Sequence, residues 1–81
     1  MCCLFGMIDV NNNFTGREKS NIMSILATAS EERGTDATGI AYNINGKLHI
    51  YKRPCPAHKM KISVPNSANV IMGHTRMTTQ G

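Results

Sequence analysis

The spacing of apolar and polar positions divides the chain into one helical stretch and several extended ones. Cys3 to Asp9 has apolar residues on both faces, the pattern of a strand covered from two sides. Asn11-Asn12-Asn13 and Gly16 supply turn residues, and the period then becomes helical from Arg17 to about Glu32. Ile22, Ile25, Leu26 and Ala29 fall on one stripe, with Arg17, Glu18, Lys19 and Ser24 off it. Thr15 reads as the N-cap of this helix and Gly34 as its stop, with Arg33 at the margin. Thr38 to Ile44 and Lys47 to Arg53 alternate on either side of Asn45-Gly46, a strong hairpin signal. Pro54, Pro56 and Pro65 bracket a lysine-rich connection in which Ala57 to Ile62 has room for one helical turn. Asn69 to Thr75 returns to strand, with Val70, Met72, His74 and Arg76 on one face and Ile71, Gly73 and Thr75 on the other. The class is α+β: a mostly antiparallel sheet, one main amphipathic helix, and cover on one face of the sheet only.

Composition narrows the picture. Eighty-one residues make one small unit, which buries only ~60 to 65% of the surface of its unfolded chain. Hydrophobic residues at 41% and charged residues at 17% are globular values, and no apolar run reaches the length of a membrane span. The opening apolar run is short, lacks a basic leader and is broken by Asp9, so neither secretion nor a membrane partner is expected. The expected compartment is cytoplasmic, with the three cysteines reduced. A net charge of +4, with Lys47, Lys52, Arg53, Lys59 and Lys61 gathered mid-chain, raises nucleic acid as a partner. The aromatics Phe5, Phe14, Tyr42 and Tyr51 do not interleave with those cations as a single-strand binder requires. Lysines that guard a sheet edge explain the cluster better, and no nucleic-acid partner is expected.

Chemistry enters at the amino terminus. If Met1 is removed, Cys2 becomes the first residue, and nucleophile and base then share one residue. A free α-amine near pKa ~7.7 to 8.0 can accept the proton of a thiol near ~8.5. The alternative is that Cys2 and Cys3 are small apolar residues opening a buried strand. A second constellation, Cys55-Pro56-Ala57-His58, has the Cys-x-x-His spacing of two metal ligands, with Cys2 and Cys3 as possible completions. Nearby lysines oppose a cation there, so no metal site and no cofactor are assigned.

Three segments belong together: Met1-Cys2-Cys3-Leu4-Phe5-Gly6, Arg33-Gly34-Thr35-Asp36-Ala37-Thr38-Gly39-Ile40-Ala41, and Gly73-His74-Thr75-Arg76-Met77-Thr78-Thr79-Gln80-Gly81. In this order and spacing they resemble the class II, N-terminal-nucleophile (Ntn) glutamine amidotransferases, the family of the glutaminase domain of glucosamine-fructose-6-phosphate aminotransferase. The resemblance implies the first part of an Ntn-hydrolase αββα sandwich. It further implies that Cys2 attacks the side-chain amide of L-glutamine, giving a glutamyl thioester and ammonia. Arg76 matches the position that grips the substrate α-carboxylate, a task suited to a planar cationic fork, and Thr79 matches one that holds the amino-acid backbone. Arg33 and Asp36 match a supporting loop beside the nucleophile. Gly34 and Gly39 fit the tight backbone of such a loop, and His74 is read as structural support. Ammonia would pass to an acceptor handled by a synthase domain or partner chain.

Two departures accompany the resemblance. Cys3 stands where the family has glycine, although strand alternation turns it away from Cys2. The family's oxyanion-hole asparagine-glycine pair lies downstream of the third motif, and Gly81 is reached before it. Loss of such donors costs ~10² to 10³ in rate each. The expectation is therefore an amino-terminal portion of the domain, inactive or nearly so alone. A non-catalytic glutamine-binding or interaction remnant is the alternative.

Overall fold

In the computed structural model, which describes residues 2–77, four strands and one long helix form two layers. Strand β1 (Cys2–Ile8) leads to helix α1 (Gly16–Ser30), which tightens into a 3-10 turn over Glu31–Arg33. The hairpin of β2 (Ala37–Ile44) and β3 (Lys47–Arg53) follows, then a second 3-10 turn (Ala57–Lys59) and β4 (Val70–Arg76). The sheet is antiparallel throughout, in the order β1-β4-β2-β3. The last strand therefore inserts beside the first, and the lysine-bearing β3 lies at the sheet edge. Among the described residues, no helix is long and apolar enough to cross a membrane.

Local chemistry explains the boundaries. Thr15 and Glu18 form a capping box: Thr15 Oγ1 accepts from Glu18 N at 3.2 Å and Thr15 N donates to Glu18 Oε1 at 2.9 Å. Asn45 and Gly46 take φ of 50° and 78°, which suits the two central residues of a type I′ turn matched to the strand twist.

The helix buries a different stripe from the one its apolar residues suggest. Lys19, Met23, Ala27 and Ser30 face the sheet, whereas Ile25 is 69% exposed and Ala29 is exposed. The reason lies in Lys19, which is completely buried. Its ammonium donates to Asn12 Oδ1 and to the carbonyls of Asn66 and Ala68, both at 2.6 Å, and Asp9 Oδ2 lies 3.8 Å away. A buried cation is tolerated when it is paired and its donors are used, so the helix turns about this clamp.

Asp9 is the other half of the joint. Its carboxylate accepts from Asn13 N at 2.9 Å and Phe14 N at 2.8 Å. The Phe14 amide, opposed by desolvation and assisted by Asn13 and the Lys19 charge, holds the carboxyl below its ordinary value of 3.8. A depressed carboxylate contributes stability above its unfolded pKa and loses it as pH falls toward the folded one. Acid titration by circular dichroism should show stability falling below about pH 4. Asp9→Asn should flatten that fall while lowering stability at neutral pH, and an unchanged acid profile would contradict the assignment.

The inner face of the sheet packs Ile40 and Ile71, with Phe5 and Met7 at its margin, against Met23 and Ala27 of α1. The remaining core comes from the β3–β4 connection, where Met60, Ile62, Val64 and Ala68 are buried and Lys61 and Ser63 point out. The outer face stays open. The two-sided cover suggested by the apolar residues of β1 is not found among the described residues: Cys2, Leu4, Gly6 and Ile8 are exposed, while Cys3, Phe5 and Met7 are half-buried.

Candidate functional site

Pairing of β1 with β4 sets Cys2 directly opposite Arg76, although 74 positions separate them in sequence. Alternation puts both on the open face. Directly opposed residues in an antiparallel pair have Cβ atoms ~5 Å apart, so an exposed thiol and an exposed guanidinium share one corner of the sheet. The next cross-strand row on that face is Leu4, His74, Gly39 and Lys52. Cys3 lies on the inner face opposite Thr75, so its thiol is directed away from Cys2. Cys2, Cys3 and Cys55 are free thiols.

Two glycines shape this corner by what they lack. Neither has positive φ, so left-handed freedom is not their purpose; among glycines with described geometry, Gly46 alone adopts it. Gly34, with extended φ of −169°, lies flat on β4. A Cβ there would stand 2.5 Å from Thr75 C and 2.8 Å from Arg76 C, and would also meet Arg76 N. Gly39 makes room for the imidazole of His74, since a Cβ would come within 2.7 Å of its Cε1 and 2.9 Å of its Nδ1. Gly34→Ala should therefore lower stability by about 1–3 kcal/mol through overpacking against backbone that cannot yield. A thermal melt matching the parent protein would show that the loop stands off β4.

Asp36 lies beside β4 on the side away from β1, whereas Arg33 ends the 3-10 turn, which packs against both β1 and β4. Asp36 N donates to Arg76 O at 2.9 Å, and Ala37 pairs with Arg76. Asp36 thus supports Arg76 from behind, one strand removed from Cys2, and Arg33 is exposed in the 3-10 turn. Thr79 lies outside the described residues.

A further anchor is Thr75, whose buried Oγ1 donates to Ser30 O at 2.9 Å and ties the end of α1 to the strand carrying His74 and Arg76. Alternation in β4 placed Thr75 inward, but its partner is 45 residues away and left no local signal.

Residues of the alternative metal constellation are engaged elsewhere. Cys55 packs against the core and its carbonyl accepts from Thr38 Oγ1 at 2.9 Å. Glu31 Oε1 stands 2.7 Å from His58 Nδ1 and accepts from His58 N at 2.8 Å, contacts that lower the Glu31 carboxyl from its ordinary value. Among the described residues, no group of three His, Cys, Asp or Glu side chains is placed to hold a metal ion.

Comparison with protein-family models, curated proteins and solved structures finds no match.

Proposed function

We propose that the Cys2–Arg76 corner supplies the nucleophile and the carboxylate grip for the glutaminase half-reaction of a class II, Ntn-type glutamine amidotransferase, which this chain alone, without the family's oxyanion donors, carries out little or not at all. The observation that carries this reading is the cross-strand pairing of Cys2 with Arg76 on an open sheet face. Arg76 holds the α-carboxylate of L-glutamine by paired charge-assisted hydrogen bonds. The α-amine of a mature Cys2 takes the proton from Sγ, and the thiolate attacks the carboxamide carbon. The tetrahedral intermediate collapses with transfer of that proton to the leaving nitrogen, giving ammonia and a γ-glutamyl thioester. Water then releases glutamate and restores the thiol. His74 and Gly39 shape the adjoining surface, and Gly34 and Asp36 hold the Arg76 backbone in place. No cofactor enters these steps. The ammonia acceptor belongs to a synthase domain or partner chain, and a reducing, cytoplasmic setting suits the free thiol.

The test is treatment of Met1-processed protein with a diazoketone analogue of glutamine, followed by peptide mapping. Selective labelling of Cys2 is expected, since the analogue presents its electrophilic carbon where the amide would lie. Equal labelling of Cys2, Cys3 and Cys55, or of none, would leave Cys2 a strand residue without special reactivity.

A further inference from the structure

Charge divides the chain unevenly. All five carboxylates lie between Asp9 and Asp36, whereas residues 37 to 81 carry Lys47, Lys52, Arg53, Lys59, Lys61 and Arg76 and no carboxylate. Such asymmetry is the footprint of an anionic partner. The fold concentrates it further. Register places Lys47, His49, Tyr51 and Arg53 of the edge strand β3 on the inner face of the sheet, beside Tyr42 of β2. Lys47, His49 and Arg53 are exposed there, because α1 packs over β1 and β4.

Cations and rings alternate along this stripe. The imidazole of His49 lies parallel to the Tyr42 ring, with 10° between planes and 5.7 Å between centroids, and turns its other face to solvent. The Arg53 guanidinium stands 5.9 Å from the centroid of Tyr51. The Tyr51 hydroxyl accepts from Ser63 N at 3.2 Å, which holds the β3–β4 connection alongside. On the solvent side of that connection, a groove of about 500 Å³ is lined by Lys61, Ser63, Asn21 and Arg17. The track of positive charge thus leaves the edge strand and crosses to α1. Lysines that only guard an edge against pairing need neither the rings nor the cations beyond the strand.

We propose that this stripe binds single-stranded nucleic acid, with phosphates on Lys47, Arg53, Lys61 and Arg17 and a base stacked on the exposed face of His49. The hairpin brings Tyr42 and His49 together across the strands, and so supplies a stacking surface that the sequence order of the aromatics does not show. Side chains two apart on one strand face stand ~6.7 Å from each other, so the stripe can follow an extended backbone whose bases are free to stack. A duplex keeps its bases stacked on one another and offers the ring no free face. The stripe lies on the opposite sheet face from Cys2 and Arg76, and the proposal does not depend on the glutaminase reading.

Fluorescence anisotropy of a labelled oligothymidylate of ~15 nucleotides, titrated with the full chain at ~50 mM salt, should show saturable binding with Kd below ~100 μM. The logarithm of affinity should fall against that of salt concentration with a slope of about −2 to −3, ~0.7 for each phosphate held. His49→Ala should weaken binding at least ~5-fold and leave the slope unchanged, because it removes a stacked base and no phosphate contact. Lys61→Ala should reduce the slope by ~0.7. Ile25→Glu, an equal change of net charge on the outer surface of α1, should leave it unaltered, and circular dichroism checks that each variant is folded. Absence of binding at that salt overturns the proposal. If linear polyphosphate displaces the oligonucleotide equally well, charge for charge, or if His49→Ala binds like the parent protein, the stripe is a general anion surface and the assignment to nucleic acid is overturned. Equal effects of Lys61→Ala and Ile25→Glu overturn its location.

Discussion

Replacing Lys19 by alanine is expected to remove most of the stability of the chain. The ammonium has no solvent exposure and supplies the donor for Asn12 Oδ1 and for the carbonyls of Asn66 and Ala68, with the Asp9 carboxylate 3.8 Å away. Truncation leaves these acceptors without their donor and opens a cavity in the layer between α1 and the sheet. Removing one partner from a buried charged cluster costs about 3–5 kcal/mol, and a small domain has only about 5 kcal/mol or a little more to lose. Lys19→Met, which keeps the volume, separates the two contributions. It should recover the packing but not the hydrogen bonds, and Asp9→Asn should be less damaging in that background than in the parent chain because the two positions are coupled. Urea unfolding followed by circular dichroism measures all of these. A Lys19→Met protein within about 0.5 kcal/mol of the parent would show that the clamp contributes volume alone.

The second large effect concerns chemistry rather than stability. Arg76→Ala should slow labelling of Cys2 by the glutamine diazoketone by roughly 10- to 100-fold, the range expected when a charge-assisted contact to a carboxylate is removed. Arg76→Lys should fall between, since an ammonium retains the charge without the two-pronged geometry. Because Arg76 is exposed, stability should change by less than about 0.5 kcal/mol. Reaction of Cys2 with iodoacetamide, which carries no carboxylate, should be unaltered in both variants. If Arg76→Ala slowed both reagents equally, Arg76 would be acting on the thiol and not on the substrate.

Local rules reached much of this structure and failed where distant segments meet. Asn45-Gly46 determined the hairpin, Thr15 and Glu18 started the helix, and alternation put His74 and Arg76 on one face and Thr75 on the other. Each of those features is decided within a few residues. Lys19 was different, because a lysine counts as a surface residue until carbonyls from 47 and 49 positions away surround it. Met60, Ile62 and Val64 were hidden by the lysines and prolines around them, yet that extended segment closes the core. The glycines at 34 and 39 suggested a tight loop, whereas their requirement is steric and comes from Arg76 and His74 on another strand. The site itself was partly legible. Cys2 and Arg76 stood out by residue type and motif, but their adjacency depends on β4 entering beside β1, which no local pattern encodes.

The most direct measurement is protection of Cys2 from iodoacetamide by L-glutamine in Met1-processed protein, with each cysteine quantified by peptide mass. If Cys2 and Arg76 form one amino-acid site, rising L-glutamine should slow alkylation of Cys2 saturably, leave Cys55 unaffected, and lose its effect in Arg76→Ala. Alkylation of Cys2 at the same rate with and without saturating L-glutamine would contradict the assignment.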